Sequence, residues 1–274
     1  MRRALVERVS VGVNRLDDAQ SHHVRDVLRM RVGDQLELFD AFGACGSGRI
    51  SSLEPLLVEI EQLAEQQPTL TITIASAVPK GERADWLVEK LSELGVACWV
   101  PMRTERSVVL PKGVGKPERW QRIAAESAKQ SRRVGVMKIE PLTSLDDCLN
   151  RLCDWRLIAD ATSPNACPMP EVLRAWQAVE HQAVEHQAVE HQAVEHQAVE
   201  HQAVEHQAVE HQPVGSKPMG SVLCLIGPEG GFTTDEVRRA ESRGFRAVRL
   251  TGTVLRVETA AVLAAGLMLV GASA

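Results

Sequence analysis

The spacing of apolar and polar residues changes near residue 68, and this change divides the chain into two parts. Before it, apolar and polar residues alternate over Asp34–Phe39 and Leu56–Ile60, which is typical of half-buried strands. The stretch His22–Met30 fits a short helix. Glycines are expected to mark turns between strands, at Gly43, Gly46 and Gly48. Residues 1–68 are therefore predicted to form a small β-rich domain, with a barrel as its expected form.

From residue 69 onward, segments with strand character alternate with segments of helical spacing. Strands are predicted at Thr69–Ala75, Val96–Met102, Arg156–Ala161 and Ser221–Gly227. Helices are predicted over Arg83–Leu94, from Pro117 toward Arg132, and after the capping residue Ser144. This alternation favours an α/β domain over residues 69–274, with a mostly parallel sheet covered on both faces. The apolar run Thr259–Ala274 is shorter than the ~20 residues that span a bilayer, so it is predicted to be a packed C-terminal helix and no membrane role is expected.

Residues 177–211 are seven copies of the pentapeptide Gln-Ala-Val-Glu-His. Five residues advance ~140° around an α-helix, so the Ala-Val pairs wind around it and cannot form a steady core stripe. The pattern predicts an insertion in the second domain, either a fluctuating exposed helix or an expanded tract in a surface loop. Metal capture is the less favoured interpretation, because histidines five residues apart do not share a helix face.

The net charge of −5 does not by itself argue against an RNA-binding protein, because seven glutamates lie in the repeat and the rest of the chain carries +2. Within Pro79–Lys138, 13 basic residues face 7 acidic ones. That excess fits contact with a phosphate backbone, and a solvated helix face explains it equally well.

Six cysteines are scattered along the chain without a C-x-x-C pair, which favours a reducing cytoplasm over disulfides or a zinc site. No secretory signal is recognisable at the start. A cytoplasmic protein without a metal is therefore expected.

Two motifs near the C-terminus carry candidate chemistry. In Val222–Glu236, an apolar strand enters a Gly-Pro-Glu-Gly-Gly turn, and Thr233 with Glu236 predicts a capping box that starts a helix. Turns at the carboxyl ends of parallel strands are where open α/β sheets bind ligands, although a purely structural turn is about as probable. The second motif, Leu250–Ala260, places Arg256 and Glu258 among small polar residues before the apolar helix, where a surface ion pair is the plain alternative. Neither a G-x-G-x-x-G fingerprint nor a P-loop is present.

Together these motifs resemble the RsmE family of SPOUT methyltransferases, and the resemblance covers nearly the whole chain apart from the repeat. The matching stretches are His22–Arg29, Lys80–Arg83, Glu89–Gly95, Thr104–Arg106, Glu126–Arg133, Ile226–Gly231 and Val254–Ala260. The resemblance implies a PUA-like RNA-binding barrel followed by a SPOUT domain with a C-terminal trefoil knot. The family usually has Leu-Gly-x-Arg-Ile-Leu-Arg where this chain has Leu250-Thr-Gly-Thr-Val-Leu-Arg256.

The implied activity is methyl transfer from S-adenosyl-L-methionine to N3 of a uridine in small-subunit (16S) ribosomal RNA. The implied cofactor-binding residues are Ala161, Ile226, Gly227, Pro228, Glu229, Gly230, Gly231, Leu250, Thr251, Thr253, Val254, Leu255 and Thr259. The expected RNA-binding residues are His22, His23, Arg25, Arg29, Lys80, Arg83 and Arg132.

Arginines are the candidates for stabilising charge on the target base, namely Arg256, Arg133 and Arg106, with phosphate contact as the alternative for the last two. Glu229 is a candidate base or a loop-orienting residue. The expected partners are small-subunit ribosomal RNA or the 30S particle and a second copy of the chain. Two alternatives stay open, a non-catalytic RNA-binding or ribosome-assembly homologue and a SPOUT enzyme acting on another RNA.

Overall fold

The computed structural model describes residues 2–64, 70–108, 115–133, 135–176, 178 and 220–273. Apart from residue 178, the exposed helix predicted for the repeat at 177–211 lies outside these described residues.

The first sheet has five strands, and its first and second strands lie at opposite edges. The strands are β1 (Arg2–Leu5), β2 (Gly12–Arg15), β3 (Gln35–Phe39), β4 (Cys45–Leu53) and β5 (Leu56–Leu63), in the order β1-β3-β4-β5-β2. β1 pairs parallel with β3, and the other pairings are antiparallel. The alternation predicted from sequence is confirmed, because Leu36, Leu38, Val58 and Ile60 point into one buried core.

The predicted helix at His22–Met30 is wrong in its bounds. Helix α1 spans Asp18–His22, and a π-helical turn follows over His23–Val27. The helix begins earlier because the side chain of Asp17 accepts a hydrogen bond from the Gln20 amide at 2.7 Å and caps it.

Two of the three predicted turn glycines lie inside a strand instead. Gly46 and Gly48 belong to β4, where β5 approaches closely. A Cβ on Gly48 would lie 2.2 Å from the Glu59 carbonyl oxygen, and one on Gly46 would lie 2.8 Å from the Ile60 side chain. These glycines therefore permit close strand contact, and of the three Gly43 alone lies in a turn.

The second sheet contains eight strands, and every pairing in it is parallel. The strands are β6 (Thr71–Ser76), β7 (Cys98–Arg103), β8 (Lys138–Ile139), β9 (Thr143–Ser144), β10 (Trp155–Ala159), β11 (Cys167–Pro168), β12 (Ser221–Ile226) and β13 (Arg246–Arg249). Their order is β11-β13-β10-β12-β6-β7-β8, and β9 also pairs with β7. The predicted parallel sheet is confirmed.

Helices cover both faces of this sheet. They are α2 (Arg83–Glu93), α3 (Gly115–Ser131), α4 (Leu145–Leu149), α5 (169–176 in its described part), α6 (Thr234–Ser242) and α7 (Val257–Ser273). On one face, α2, α3, α5 and α7 bury residues such as Leu87, Trp120 and Ala264. On the other, α4 and α6 bury Leu149 and Val237. This layering confirms the expectation that both faces are covered.

Arg3 joins the two sheets. Its Nε lies 2.9 Å from the Glu37 carboxylate, and its guanidinium sits over the Phe39 ring at 4.3 Å. Its Nη1 donates to the Arg133 carbonyl at 3.1 Å, beyond the end of α3. One buried cation therefore ties β1 of the first sheet to the helical layer of the second.

Candidate functional site

Three segments at the carboxyl ends of neighbouring strands enclose a cavity of about 260 Å³. β10 lies between β12 and β13, and Ala159 at its end pairs with Ile226 on one side and Val248 on the other. The chain segments that leave these strand ends are therefore brought together although they are far apart in sequence. The cavity is lined by Ala159–Thr162, Ile226–Phe232, Val248, Leu250, Thr251, Thr253–Leu255, Val257 and Ala260.

The structure places twelve of the thirteen predicted cofactor residues in this lining. The other, Thr259, is exposed on α7 and is not among the lining residues. Sequence reasoning missed the apolar wall, which consists of Ala159, Phe232, Val248, Val257 and Ala260, and the polar pair Asp160 and Thr162. Cofactor binding by the twelve predicted residues stays a prediction, and these seven further residues are assigned to the site by their position in the cavity lining.

Two glycines of the turn after β12 are favoured there for steric reasons. Gly231 has a φ of 69°, in the left-handed region that favours glycine, and its amide donates to the Pro228 carbonyl at 2.8 Å. A Cβ on Gly227 would lie 3.1 Å from the Phe232 ring. The turn therefore folds tightly over Phe232 and leaves backbone groups lining the cavity.

The predicted capping box at the start of α6 is confirmed, and its glutamate also binds a backbone amide in another segment of the chain. Oε2 of Glu236 accepts from the Thr233 amide at 2.8 Å, and Thr233 Oγ1 accepts from the Glu236 amide at 3.2 Å. The other carboxylate oxygen accepts from the Glu105 amide at 2.8 Å. Since Glu236 is only 1% exposed, this buried carboxylate fastens the segment after β7 to the turn that lines the cavity.

Arg106 braces the same turn from outside the cavity. Its Nη1 donates to the Gly230 carbonyl at 2.7 Å and to the Phe232 carbonyl at 3.3 Å. Arg106 is not a cavity-lining residue. The guanidinium thus holds the backbone of the turn, whereas the sequence pattern is equally compatible with catalysis and with phosphate contact.

The segment after β13 is held by its own residues. Thr251 Oγ1 donates to the Thr253 carbonyl at 2.9 Å and accepts from the Thr253 amide at 3.3 Å. These are the two threonines that replace the family's glycine and arginine. Their hydroxyl and backbone contacts close a local turn, and Val254 at its tip is 94% exposed.

Arg133 does not reach the cavity. Its Nη1 donates to the carbonyl of Ser92 in the last turn of α2 at 3.2 Å and to that of Val96 just beyond the helix at 2.8 Å. Burial lowers the pKa of the Arg133 guanidinium to about 10, so it stays charged at neutral pH. Arg133 therefore anchors the chain after α3, and the structure does not bring it together with Arg256 as a catalytic group.

Arg256 is the candidate arginine whose neighbours in the chain line the cavity. It is exposed, and its chain neighbours Leu255 and Val257 both line the cavity. Two residues later, the buried carboxylate of Glu258 lies 3.5 Å from Arg83 Nη1, which ties α7 to α2. Arg83, predicted to bind RNA, is thus engaged in an internal ion pair.

The remaining predicted RNA-binding residues lie on the surface or close to it. His22, His23, Arg29, Lys80 and Arg132 are exposed. His22 Nδ1 lies 2.7 Å from Asp26, and Arg25, partly buried, pairs with Asp26 and Glu54 at 3.2 Å each. These carboxylates offset part of the positive charge around the π-helical turn.

Within the described part of the chain, no three or more His, Cys, Asp or Glu side chains form a group that could hold a metal ion. No helix among the same residues has the length and apolar character needed to cross a membrane.

Two family models match the chain. The RNA methyltransferase domain matches residues 65–184 and 169–269, and the RNA methyltransferase PUA domain matches residues 16–61.

Relatives and a solved structure agree with these matches. The chain is 30% identical over 250 residues to the ribosomal RNA small subunit methyltransferase E of Bacillus subtilis (strain 168), covering 89% of this chain and 84% of that protein. It is 27% identical to the protein of the same name from Synechocystis sp. (strain ATCC 27184 / PCC 6803 / Kazusa), covering 94% of this chain and 73% of that protein. The crystal structure of a ribosomal RNA small subunit methyltransferase E from Neisseria gonorrhoeae bound to S-adenosyl methionine superimposes with a TM-score of 0.71 at 27% identity, covering 98% of this chain and 97% of that one.

Proposed function

This chain belongs to the ribosomal RNA small subunit methyltransferase E family, and on that premise we propose that it methylates N3 of a uridine in small-subunit ribosomal RNA with S-adenosyl-L-methionine. The membership confirms the resemblance drawn from the motifs, including a PUA domain followed by an α/β methyltransferase domain. The observation that carries the proposal is the cavity at the ends of β10, β12 and β13, lined by the residues that the resemblance implies for the cofactor.

The residues around this cavity fit the cofactor's chemistry. Val248, Leu255, Val257 and Ala260 supply apolar surface for an adenine ring. Main-chain amides and carbonyls of 226–231 and 250–255 supply donors and acceptors for its polar edges, and the open glycine turn lets a ligand approach them. The lining carboxylates of Asp160 and Glu229 offer negative charge to a cationic ligand.

When bound, S-adenosyl-L-methionine supplies an electrophilic methyl group on a cationic sulfur. The chain's own task is to position uridine N3 and to accommodate the charge that spreads to the flanking carbonyl oxygens as the N3 proton leaves. Arg256, exposed between two cavity-lining residues, is the proposed donor to that charge. Glu229 is the proposed base or loop-orienting residue.

The rest of the chain is assigned supporting roles in this proposal. Residues 1–68 act as the RNA-binding domain, and 69–274 form the methyltransferase domain with the trefoil knot typical of SPOUT proteins. The repeat at 177–211 is a peripheral insertion. The enzyme acts as a cytoplasmic homodimer on small-subunit RNA or the 30S particle.

Methyl transfer tests the reaction and the substrate together. The protein is incubated with labelled S-adenosyl-L-methionine and small-subunit particles from a strain that lacks it, and the modified nucleotide is then mapped. We expect one N3-methyluridine in the small-subunit RNA. Cofactor binding in a calorimetric titration without any transfer would identify a non-catalytic homologue, and a methyl group on another RNA or on ribose would overturn the substrate assignment.

A further inference from the structure

The most exposed aromatic side chain among the described residues lies in the turn between β3 and β4 of the first sheet. The chain has four phenylalanines and no tyrosine. Phe39, Phe232 and Phe245 are buried, whereas Phe42 is 71% exposed at the tip of the turn between β3 and β4. Singly exposed apolar residues are common on protein surfaces, and Phe42 is distinguished by the hydrogen-bonded turn that carries it and by the cation against its ring.

The turn that carries Phe42 is rigidly built. Oδ1 of Asp40 accepts from the amides of Phe42 at 2.9 Å and Ala44 at 3.0 Å, and Oδ2 accepts from the Val9 amide at 3.2 Å. Asp40 itself is buried. One carboxylate therefore fixes both the turn that bears Phe42 and the segment that bears Arg8.

Arg8 places a cation over the face of this ring. Its guanidinium carbon lies 4.3 Å from the centre of the Phe42 ring. Both side chains are exposed, so the pair is open to solvent. A cation held against an aromatic face at the surface presents the combination on which unpaired nucleobases stack.

The pair lies where the two domains meet. A Cβ on Gly135 would lie 3.5 Å from the Ala41 carbonyl oxygen and 3.7 Å from Gly43 Cα, so the turn rests on the segment just after α3. That segment begins with exposed Arg132, whose φ of 56° is left-handed. Among the described residues, neither Arg8 nor Arg132 is within ion-pair distance of a carboxylate.

We infer that Arg8, Phe42 and Arg132, here called the junction platform, bind an unpaired base of the RNA substrate and its neighbouring phosphates. Phe42 and Arg8 stack on the base, and Arg132 contributes charge toward the backbone. The inference rests on the proposed function for the identity of the RNA. It adds a base-recognition site at the domain junction, separate from the cavity.

Two RNA probes separate stacking from charge. One is a labelled oligouridylate of about ten nucleotides, and the other is an abasic oligomer with the same number of phosphates. Affinities of both are measured by fluorescence anisotropy over a range of salt concentrations. The wild-type protein is expected to bind the base-bearing probe more tightly than the abasic one.

Phe42→Ala is expected to weaken binding of oligouridylate by about 5- to 150-fold and to leave the abasic probe and the salt slope unchanged, because the ring carries no charge. Phe42→Trp should restore the affinity. Phe42→Leu keeps an apolar side chain without a ring and should behave like Phe42→Ala, which separates stacking from an effect on folding. Arg8→Ala should weaken both probes and flatten the salt slope. The matched control, Leu152→Ala, removes an apolar side chain that is also exposed, from the segment between α4 and β10, and should change neither probe.

Unchanged affinity of Phe42→Ala for oligouridylate, or an equal loss for both probes, overturns the junction platform. So does a wild-type protein that does not distinguish the probes. Methyl transfer by wild-type protein, assayed in parallel, keeps the two proposals apart. If the wild-type protein transfers methyl groups but Phe42→Ala binds oligouridylate normally, only the junction platform is contradicted. If Phe42→Ala weakens binding but the wild-type protein transfers no methyl group, only the proposed reaction is contradicted.

Discussion

The two segments that border the cavity on either side of β10 are held in different ways. The turn at Gly227–Gly231 is braced from outside by Arg106 and by the buried carboxylate of Glu236. The segment Leu250–Leu255 is closed by its own threonine contacts, and its residues are exposed or partly buried. The comparison indicates that one wall of the site is fixed before a ligand arrives, whereas the other is free to adjust around it.

The largest effect is expected when the buried carboxylate of Glu236, which helps to hold the turn at Gly227–Gly231, is removed. Glu236→Ala leaves the Glu105 and Thr233 amides without their acceptor and breaks the capping box. We expect the free energy of unfolding to fall by about 2–4 kcal/mol, measured by urea denaturation. Asp235→Ala removes an exposed acidic side chain from the same helical turn and should cost well under about 1 kcal/mol. Similar losses in both variants would show that Glu236 acts only as a charge near the helix start.

Removing the outer brace should affect ligand binding more than folding. Arg106→Ala frees the carbonyls of Gly230 and Phe232, so the turn loses part of its preorganisation. We expect the Kd for S-adenosyl-L-methionine in a calorimetric titration to rise about tenfold, with Arg106→Lys in between.

The matched control for Arg106 is Arg103→Ala, an exposed arginine at the end of β7, which should bind the cofactor as wild type does. If Arg106 instead contacts phosphate, Arg106→Ala will flatten the salt dependence of RNA binding and leave cofactor affinity unchanged.

The ion pair between Arg83 and Glu258 is expected to contribute less to stability than the buried carboxylate of Glu236. Arg83→Ala leaves the buried Glu258 carboxylate without the cation that ties α7 to α2. Because Arg83 is partly exposed, we expect a loss of only about 1 kcal/mol in the free energy of unfolding. If Arg83→Ala leaves the unfolding curve unchanged but weakens RNA binding, Arg83 contacts RNA, as predicted from the sequence.

The smallest effect is expected for substitutions within the segment Leu250–Leu255. Thr251→Ala removes three contacts with Thr253 on a partly exposed loop, so the Kd for the cofactor should rise by no more than about fivefold. Thr253→Ala loses only the contact between hydroxyls and should change it less. An effect of Thr251→Ala as large as that of Arg106→Ala would contradict the difference between the two walls.

The arginines show why site roles are harder to predict than site positions. Arg106, Arg133 and Arg256 are equivalent candidates in sequence, yet one braces a turn, one anchors the chain beyond α3, and one stays exposed beside the cavity. A guanidinium reaches several ångströms from its backbone, so its partner depends on elements distant in the chain. Phe42 was missed because an isolated aromatic residue in a turn leaves no periodic signal.

The alternating strands, the parallel α/β character, the capped helix after the glycine turn and the motifs that mark the family can be read from the amino-acid sequence. These are local properties, since they depend on side-chain periodicity and on backbone conformations within a few residues. The position of β10 between β12 and β13, which assembles the cavity, is visible only in the folded chain, as are the contacts of Arg3, Arg106 and Glu236 with backbone groups far away in sequence. Such contacts depend on strand order and domain packing, and the spacing of apolar residues along the chain does not specify which elements become neighbours.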